Sequence, residues 1–109
     1  MTLKEIVEKF NELNVYEQRS VSDEYVELVF YSKEIDKWNK ALVDILGPAL
    51  KPAGVEPTKD DQDLTEDYGG IFGNQTLFKK EFDGVTVLAM FWPWQNGTYT
   101  TLKAALLVV

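Results

Sequence analysis

The first residues of the chain interleave apolar and charged side chains at helical spacing. Thr2 and Glu5 have the spacing of a capping box, in which two side chains satisfy free backbone N–H groups at a helix start. The pattern predicts an amphipathic helix over residues 3–13, followed by a connector over 15–22. The apolar positions, at i, i+3, i+4, i+7 and i+10, are Leu3, Ile6, Val7, Phe10 and Leu13.

Residues 25–31 are the stretch in which two patterns compete. As a strand, its alternate apolar residues share one face, and it is rich in aromatic and β-branched side chains. As a helix, Leu28 and Tyr31 begin an apolar stripe that runs on through the following residues. The composition favours the strand, with the helix as the alternative. In the strand interpretation Ser32 caps a separate helix, while in the helix alternative Ser22 and Asp23 cap one continuous helix. Both interpretations predict a helix from Ser32 to Leu46.

The C-terminal third has the alternation and turn signals of a β-meander, with strands predicted over 76–82, 85–92 and 99–107. Pro93 determines the second turn, because proline has no backbone N–H to donate. A three-residue loop ending in a left-handed Gly97 places Pro93 opposite Tyr99 at a position without ladder hydrogen bonds. We therefore predict that loop.

Side-chain alternation divides the middle strand into two apolar faces. One face carries Phe91, and the other carries Trp92 together with Leu88, Met90 and Trp94. The predicted second turn adds four residues of the last strand to the Trp92 face. Two amphipathic helices cover little more than one face, so the rest predicts an oligomer interface, a partner site or a loop folded back onto the sheet. The four added residues are Leu102, Ala104, Leu106 and Val108.

These elements predict one α+β domain over residues 1–109: an N-terminal helix, a strand, a second helix and a three-stranded antiparallel meander on which the helices pack. Between the second helix and the meander, residues 47–74 are predicted to be irregular. They hold three of the four prolines, and residues 56–67 alone carry six acids against one lysine. A loop of this length within a small domain is functional or mobile.

The amino-acid composition excludes several kinds of catalytic and metal-binding site. The 109 residues include no cysteine and no histidine, which excludes thiol nucleophiles, disulfides, histidine bases and the usual zinc sites. The alternating acids of 61–67 resemble a calcium loop, but Glu66 stands at the glycine position and Phe72 at the final glutamate position. We therefore expect no cofactor, no metal and no catalytic residue.

The formal net charge is -7, and Arg19 is the one arginine. Nucleic-acid binding requires clustered basic residues, so this class of partner is not expected. Charges interrupt the N-terminal residues, which therefore lack the apolar run of a signal peptide, and the longest uncharged apolar stretch, 85–94, is about half the length of a membrane span. We therefore expect a cytoplasmic protein without a nucleic-acid or membrane partner.

The residues at the end of the middle strand form the densest aromatic cluster in the sequence, and aromatic side chains at a sheet end pack in a core or line a binding groove. The glycine-rich residues 68–73 do not match a phosphate-binding loop. The candidate binding residues, taken from this cluster, the Trp92 face and the acidic loop, are Trp92, Trp94, Tyr99, Met90, Asp67 and Tyr68.

Three functions are compatible with these features. The first is a non-catalytic domain that binds a protein partner or forms a homodimer, because both sheet faces are apolar. The second is an acidic inhibitor or immunity-type protein that docks on a basic partner, because the charge is concentrated at 56–67. The third is a small-ligand binder or enzyme that combines the aromatic residues with nearby carboxylates.

Overall fold

The computed structural model describes residues 3–10, 13–82 and 84–108, and over these residues the protein is α+β. Single 3-10 turns precede the second helix at Ser32–Glu34 and follow the third at Glu66–Tyr68. The helices are α1 (Leu3–Glu8), α2 (Ile35–Leu46) and α3 (Lys59–Thr65). The strands are β1 (Glu17–Val21), β2 (Tyr25–Tyr31), β3 (Thr76–Phe82), β4 (Val85–Pro93) and β5 (Tyr99–Val108).

All neighbouring strands are antiparallel, and they lie in the order β1-β2-β5-β4-β3. The predicted α+β class is confirmed. The three predicted meander strands are present as β3, β4 and β5, but a three-stranded sheet is inexact. The strand interpretation of residues 25–31 is also confirmed, because β2 pairs along its whole length with β5. The sheet has five strands rather than three, so β5 is central instead of being an edge.

The connector predicted over residues 15–22 is wrong, because it contains β1. Every β1 side chain is exposed, so the strand lacks the buried-exposed alternation that predicts a strand. Its register with β2 shifts between Gln18 and Ser20, and Arg19 is the extra residue of this bulge. A bulged edge strand with charged side chains resists pairing with other chains.

Helix α1 is shorter than predicted. It ends at Glu8, and a turn follows through Phe10. Phe10 nevertheless reaches the core, where its ring centroid lies 5.1 Å from that of Trp38. The predicted capping residue Thr2 and residues 11 and 12 of the predicted helix lie outside the described residues. Helix α2 begins later than predicted, and the Ser32 hydroxyl pairs with that of Thr100 at 2.8 Å instead of capping the helix.

The prediction that residues 47–74 are irregular is wrong for their central part, which forms α3 and its 3-10 extension. Thr58 and Asp61 form a capping box: Thr58 Oγ1 accepts a hydrogen bond from the Asp61 N–H at 3.1 Å, and Asp61 Oδ2 accepts one from the Thr58 N–H at 2.9 Å. This arrangement satisfies two free donors at the helix start. The spacing of Thr58 and Asp61 that forms this capping box is present in the sequence, within the acidic residues 56–67.

The register of β4 with β5 also differs from the prediction. Pro93 lies opposite Thr100 rather than Tyr99. The Trp94 N–H donates to the Tyr99 carbonyl at 2.9 Å, so these two residues are the hydrogen-bonded pair and Pro93 lies at a non-bonded position. A longer loop over residues 95–98 thus accommodates the proline. Gly97 is left-handed as predicted, with φ of 72°.

This register reverses the predicted face of three β5 residues. They lie on the face of Phe91, where α1 and α2 cover them, and not on the face of Trp92. A shift of one residue moves a whole set of side chains across the sheet. The three residues are Leu102, Ala104 and Leu106; the side chain of Val108 lies outside what the structure describes.

We call the Trp92 side of the sheet the second face. Part of it is covered by α3 and the residues that follow, so the third predicted cover, a segment folded back onto the sheet, is the one observed. Ile71 packs with Leu77, Leu88 and Met90 in a second buried cluster, against which Leu64, Tyr68, Trp92 and Leu107 are half-buried. The uncovered apolar area that motivated the dimer prediction is therefore smaller than expected.

Lys51 fastens the covering segment to the sheet. The side chain is 1% exposed, and its ammonium donates to the carbonyls of Pro52 at 3.0 Å, Gly73 at 3.2 Å and Gln75. Its backbone also exchanges hydrogen bonds with Leu77 of β3. Burial lowers the pKa of Lys51. Three oriented carbonyl dipoles compensate part of the cost of burying this charge.

We expect Gly97→Ala to lower the free energy of unfolding by about 1 kcal/mol, because alanine at a positive φ is strained while open space surrounds the new methyl group. Urea unfolding followed by tryptophan fluorescence measures the change. Gln95→Ala, at an exposed position in the same loop, is the control and should have a much smaller effect. Equal effects of the two substitutions would contradict the prediction.

We expect Lys51→Met to destabilise the protein by about 2–3 kcal/mol, because three carbonyls lose their shared donor in a buried site. Lys40→Met is the matched control, since Lys40 is exposed and pairs with Asp44 at 3.0 Å on the surface of α2, where a pair contributes about 0–1 kcal/mol. Urea titration of both variants gives the comparison. Similar losses in the two would show that the buried ammonium adds nothing.

Candidate functional site

All five tyrosines of the chain gather on the second face. Tyr25 and Tyr31 project from β2 and Tyr99 from β5, while Tyr16 precedes β1 and Tyr68 ends the turn after α3. Helix α3 covers the β3–β4 side of this face, and the tyrosines occupy the β2–β5 side. A tyrosine has an apolar ring and a polar hydroxyl, so it suits a surface that is partly buried and partly wet.

Four of the rings at one end of this face form what we call the aromatic cluster: Tyr16, Tyr31, Trp94 and Tyr99. Tyr99 is central, with its ring centroid 4.5 Å from that of Tyr16, 5.4 Å from Tyr31 and 5.0 Å from Trp94. The Trp94 indole N–H donates to Thr101 Oγ1 at 2.8 Å, which fixes the ring against the sheet. A hydrogen bond with Tyr16 raises the pKa of Tyr99. The rings therefore hold one another in place.

The bulge in β1 places Arg19 over this cluster. Its guanidinium carbon lies 5.3 Å from the centroid of the Trp94 ring, and Nε bonds to Glu17 Oε2 at 2.9 Å. Tyr16 is 50% exposed, and its neighbour Val15 is 41% exposed. The cluster is therefore an ordered aromatic surface that remains open to solvent along the β1 edge.

A second feature, which we call the lysine cleft, lies further along β2 and β5 beside the end of α3. It is a cleft of about 430 Å3 lined by Tyr25, Asp67, Tyr68, Gly69 and Lys103. The rings of Tyr25 and Tyr68 stack with centroids 5.9 Å apart and planes at 5°. Burial raises the pKa of both phenols, which extends the pH range over which they stay neutral.

Lys103 projects from β5 into this cleft. Its Nζ lies 3.5 Å from the centroid of the Trp92 ring and donates to the Tyr68 carbonyl at 3.3 Å. Burial is the largest influence and lowers the pKa of Lys103, while the Glu27 carboxylate raises it in part. The ammonium is therefore held in place without full compensation of its charge.

The expected ion-pair partner of Lys103 is engaged elsewhere. Glu27 lies directly opposite Lys103 across β2 and β5. Its Oε1 accepts a hydrogen bond from the Tyr25 hydroxyl at 2.7 Å, and its Oε2 lies 3.8 Å from the Arg19 guanidinium. Within the described residues, no carboxylate oxygen comes within 4.0 Å of the Lys103 ammonium.

Gly69 forms the wall of the cleft next to Trp92. It ends the turn after α3 in a left-handed conformation, with φ of 97°. A Cβ atom added there would lie 2.6 Å from Cη2 of Trp92, so the backbone approaches the indole ring as only glycine allows. Trp92 Nε1 is buried and has no hydrogen-bond partner among the described residues.

The structure places all six candidate residues from the sequence on the second face or against it. Trp94 and Tyr99 belong to the aromatic cluster, while Asp67 and Tyr68 line the lysine cleft. Trp92 packs beneath the cleft through Lys103 and Gly69. Met90 is fully buried in the second core, so it supports the site from below and is not on its surface.

Sequence reasoning missed six residues of these two features. Lys103 carried a signal, since it is the one charged residue between Tyr99 and Val108. No sequence signal connected the other five, because the bulged strand β1, the pairing of β2 with β5 and the turn after α3 bring them to this face. They are Tyr16, Arg19, Tyr25, Tyr31 and Gly69.

The acids of residues 56–67 mostly face solvent along α3, with Asp61 buried in the capping box. Their docking on a basic partner stays a prediction. In the part of the chain that the structure describes, no helix has the length and apolar character needed to cross a bilayer.

We expect Gly69→Ala to destabilise the protein by at least about 1 kcal/mol more than Gly97→Ala. Both glycines have positive φ, but only at Gly69 does the new methyl group overlap a ring, and overpacking of this kind costs about 1–3 kcal/mol. Gly97→Ala therefore serves as the control for backbone strain. Urea unfolding of the two variants tests the contact, and equal losses would contradict it.

Comparison with known protein families, with curated proteins and with solved structures gives no match for this chain. What the aromatic cluster and the lysine cleft do is therefore inferred from their own geometry.

Proposed function

We propose that this protein is a non-catalytic interaction domain that forms a homodimer through its aromatic cluster. The observation that carries the proposal is the composition of the exposed surface around Tyr99: three tyrosines, a tryptophan and the chain's one arginine, in mutual contact at the β1 edge. Tryptophan, tyrosine and arginine are the residue types that dominate binding energy at protein interfaces.

The rigidity of the cluster supports this role. Each ring contacts at least one other, and Trp94 is also fixed by its hydrogen bond to Thr101. Ordered side chains lose little conformational freedom when a partner covers them, so more of the contact energy remains as affinity. A mobile set of exposed rings would lose part of that energy on binding.

The distribution of charge favours a second copy as the partner. Arg19 and Glu17 lie side by side at the β1 edge, so two copies related by a two-fold axis can bring opposite charges together. The net charge of -7 opposes association, but charges separated by more than about 8 Å are largely screened at physiological ionic strength. A two-fold contact also lets one patch cover itself without any other protein.

Sedimentation equilibrium over concentrations from about 1 to 200 µM tests the proposal. We expect the weight-average mass to rise from 12.5 kDa toward twice that value. Tyr16→Asp should raise the dimer dissociation constant at least about tenfold, because it places a carboxylate among rings that become buried. Tyr16 is half-exposed in the monomer, so circular dichroism should show an unchanged fold.

Phe72→Asp is the matched control. Phe72 is 60% exposed and lies in the segment leading into β3, at the opposite edge of the sheet from β1. The same change of an exposed aromatic residue to aspartate should leave the dissociation constant unaltered there. A monomer at every concentration would overturn the proposal, and equal effects of both variants would show that the aromatic cluster is not the interface.

A further inference from the structure

We infer that the lysine cleft is a binding site for a small carboxylate with a flat apolar body, held by its charge on Lys103. The inference is independent of dimerisation, because it concerns a cleft at the other end of the tyrosine-lined face. The inference depends on the environment of the Lys103 side chain and on the shape of the lysine cleft beside it.

The first step concerns the Lys103 ammonium, which has no carboxylate in direct contact among the described residues. Lys103 faces Glu27 across the strands, but Tyr25 and Arg19 hold the two Glu27 oxygens. The Lys103 ammonium lies against the Trp92 ring and donates to the Tyr68 carbonyl, and within the described residues no carboxylate oxygen lies within 4.0 Å of it. A lysine ammonium has three donor hydrogens and no acceptor. Glu27 raises the pKa of Lys103 in part but does not offset the effect of burial, so a ligand carboxylate in direct contact with the ammonium would supply further compensation.

The second step is the shape of the cleft. Its walls are the stacked rings of Tyr25 and Tyr68, and Gly69 lets the chain approach the Trp92 ring closely. Its volume of about 430 Å3 is within the range of small-molecule sites. Aromatic walls favour a flat apolar body, while the half-buried charge favours an anionic group.

The third step is the effect of the surrounding charges. Asp67 lines the cleft, Glu27 lies across the strands, and the whole chain is acidic. These carboxylates repel an anion at long range, so the ligand must be held by close contacts with Lys103 and not by general attraction. We therefore expect modest affinity and a strict dependence on this one amine.

Titration with benzoate, with benzamide as the uncharged analogue of the same shape, tests the inference. We expect benzoate to bind at least about tenfold more tightly, as a charge-assisted hydrogen bond predicts. In 1H–15N spectra, benzoate should shift the backbone resonances of Gly69 and Lys103. Equal binding of the two compounds, or shifts confined to other residues, would overturn the inference.

Lys103→Met keeps the alkyl chain on Trp92 but removes the charge, and it should abolish the preference for benzoate. Lys79→Met is the matched control, because Lys79 projects from β3 on the same face into a separate cleft with Asp60 and Asp63. This control should bind benzoate like the unaltered protein. Equal losses in both variants would mean that benzoate responds to overall charge and not to the lysine cleft.

Lys103→Arg with a pH series keeps the inference falsifiable should the methionine variant not fold. Burial lowers the pKa of Lys103 and benzoate binding favours the ammonium, so affinity in the unaltered protein should begin to fall below the ordinary lysine pKa, as rising pH removes the proton from Lys103. The groups facing Lys103 are Glu27, Asp67 and the phenols of Tyr25 and Tyr68, whose raised pKa values keep them neutral longer. Arginine stays protonated, so the arginine variant should show a flat profile; a parallel decline in both would contradict the role of Lys103.

Discussion

Strand β4 is apolar on both faces, and this one constraint explains most of the architecture. Neither face of β4 can remain in water, so the sheet needs two covers. Helices α1 and α2 supply the first. The second cover is α3 with the glycine-rich residues that follow it. Lys51 holds this segment against β3 through hydrogen bonds, and Gly69 allows its backbone to approach Trp92 closely. A short helix within an acidic stretch thus becomes part of the core.

Because α3 is only seven residues long, it covers one side of the second face and leaves the other to side chains. Tyrosines fill that area, and each combines ring packing with a hydroxyl at the surface. Both candidate features follow from this division. The aromatic cluster lies where the sheet has no helix above it, and the lysine cleft lies at the boundary where the cover ends at Tyr68 and Gly69.

The sequence predicted the elements that have a local pattern of their own. It did not predict the features that depend on contacts between segments distant in the chain. The meander strands, β2 and α2 have periodicity or turn residues of their own, and Trp94, Tyr99, Asp67 and Tyr68 were found because they stand out locally. Strand β1 is exposed throughout and is held by pairing alone. The Pro93 constraint was correctly identified, but two loop lengths satisfy it, and the alternative to the predicted one reversed the faces of β5. The environment of Lys103 depends on Glu27, Tyr25 and Arg19, which no spacing rule connects to it.

The position of β5 in the sheet has a consequence for how the protein is made. Strand β5 is the last of the strands along the chain, yet it lies in the middle, between β2 and β4. During synthesis, β1 can pair with β2 and β3 with β4 before β5 has been made, and β2 and β4 then each have a free edge that β5 later occupies. The two halves of the domain join only when β5 emerges and inserts between them. Until then, the edges of β2 and β4 are exposed and can pair with other chains. The nascent chain is therefore most prone to aggregation in the interval before β5 is in place.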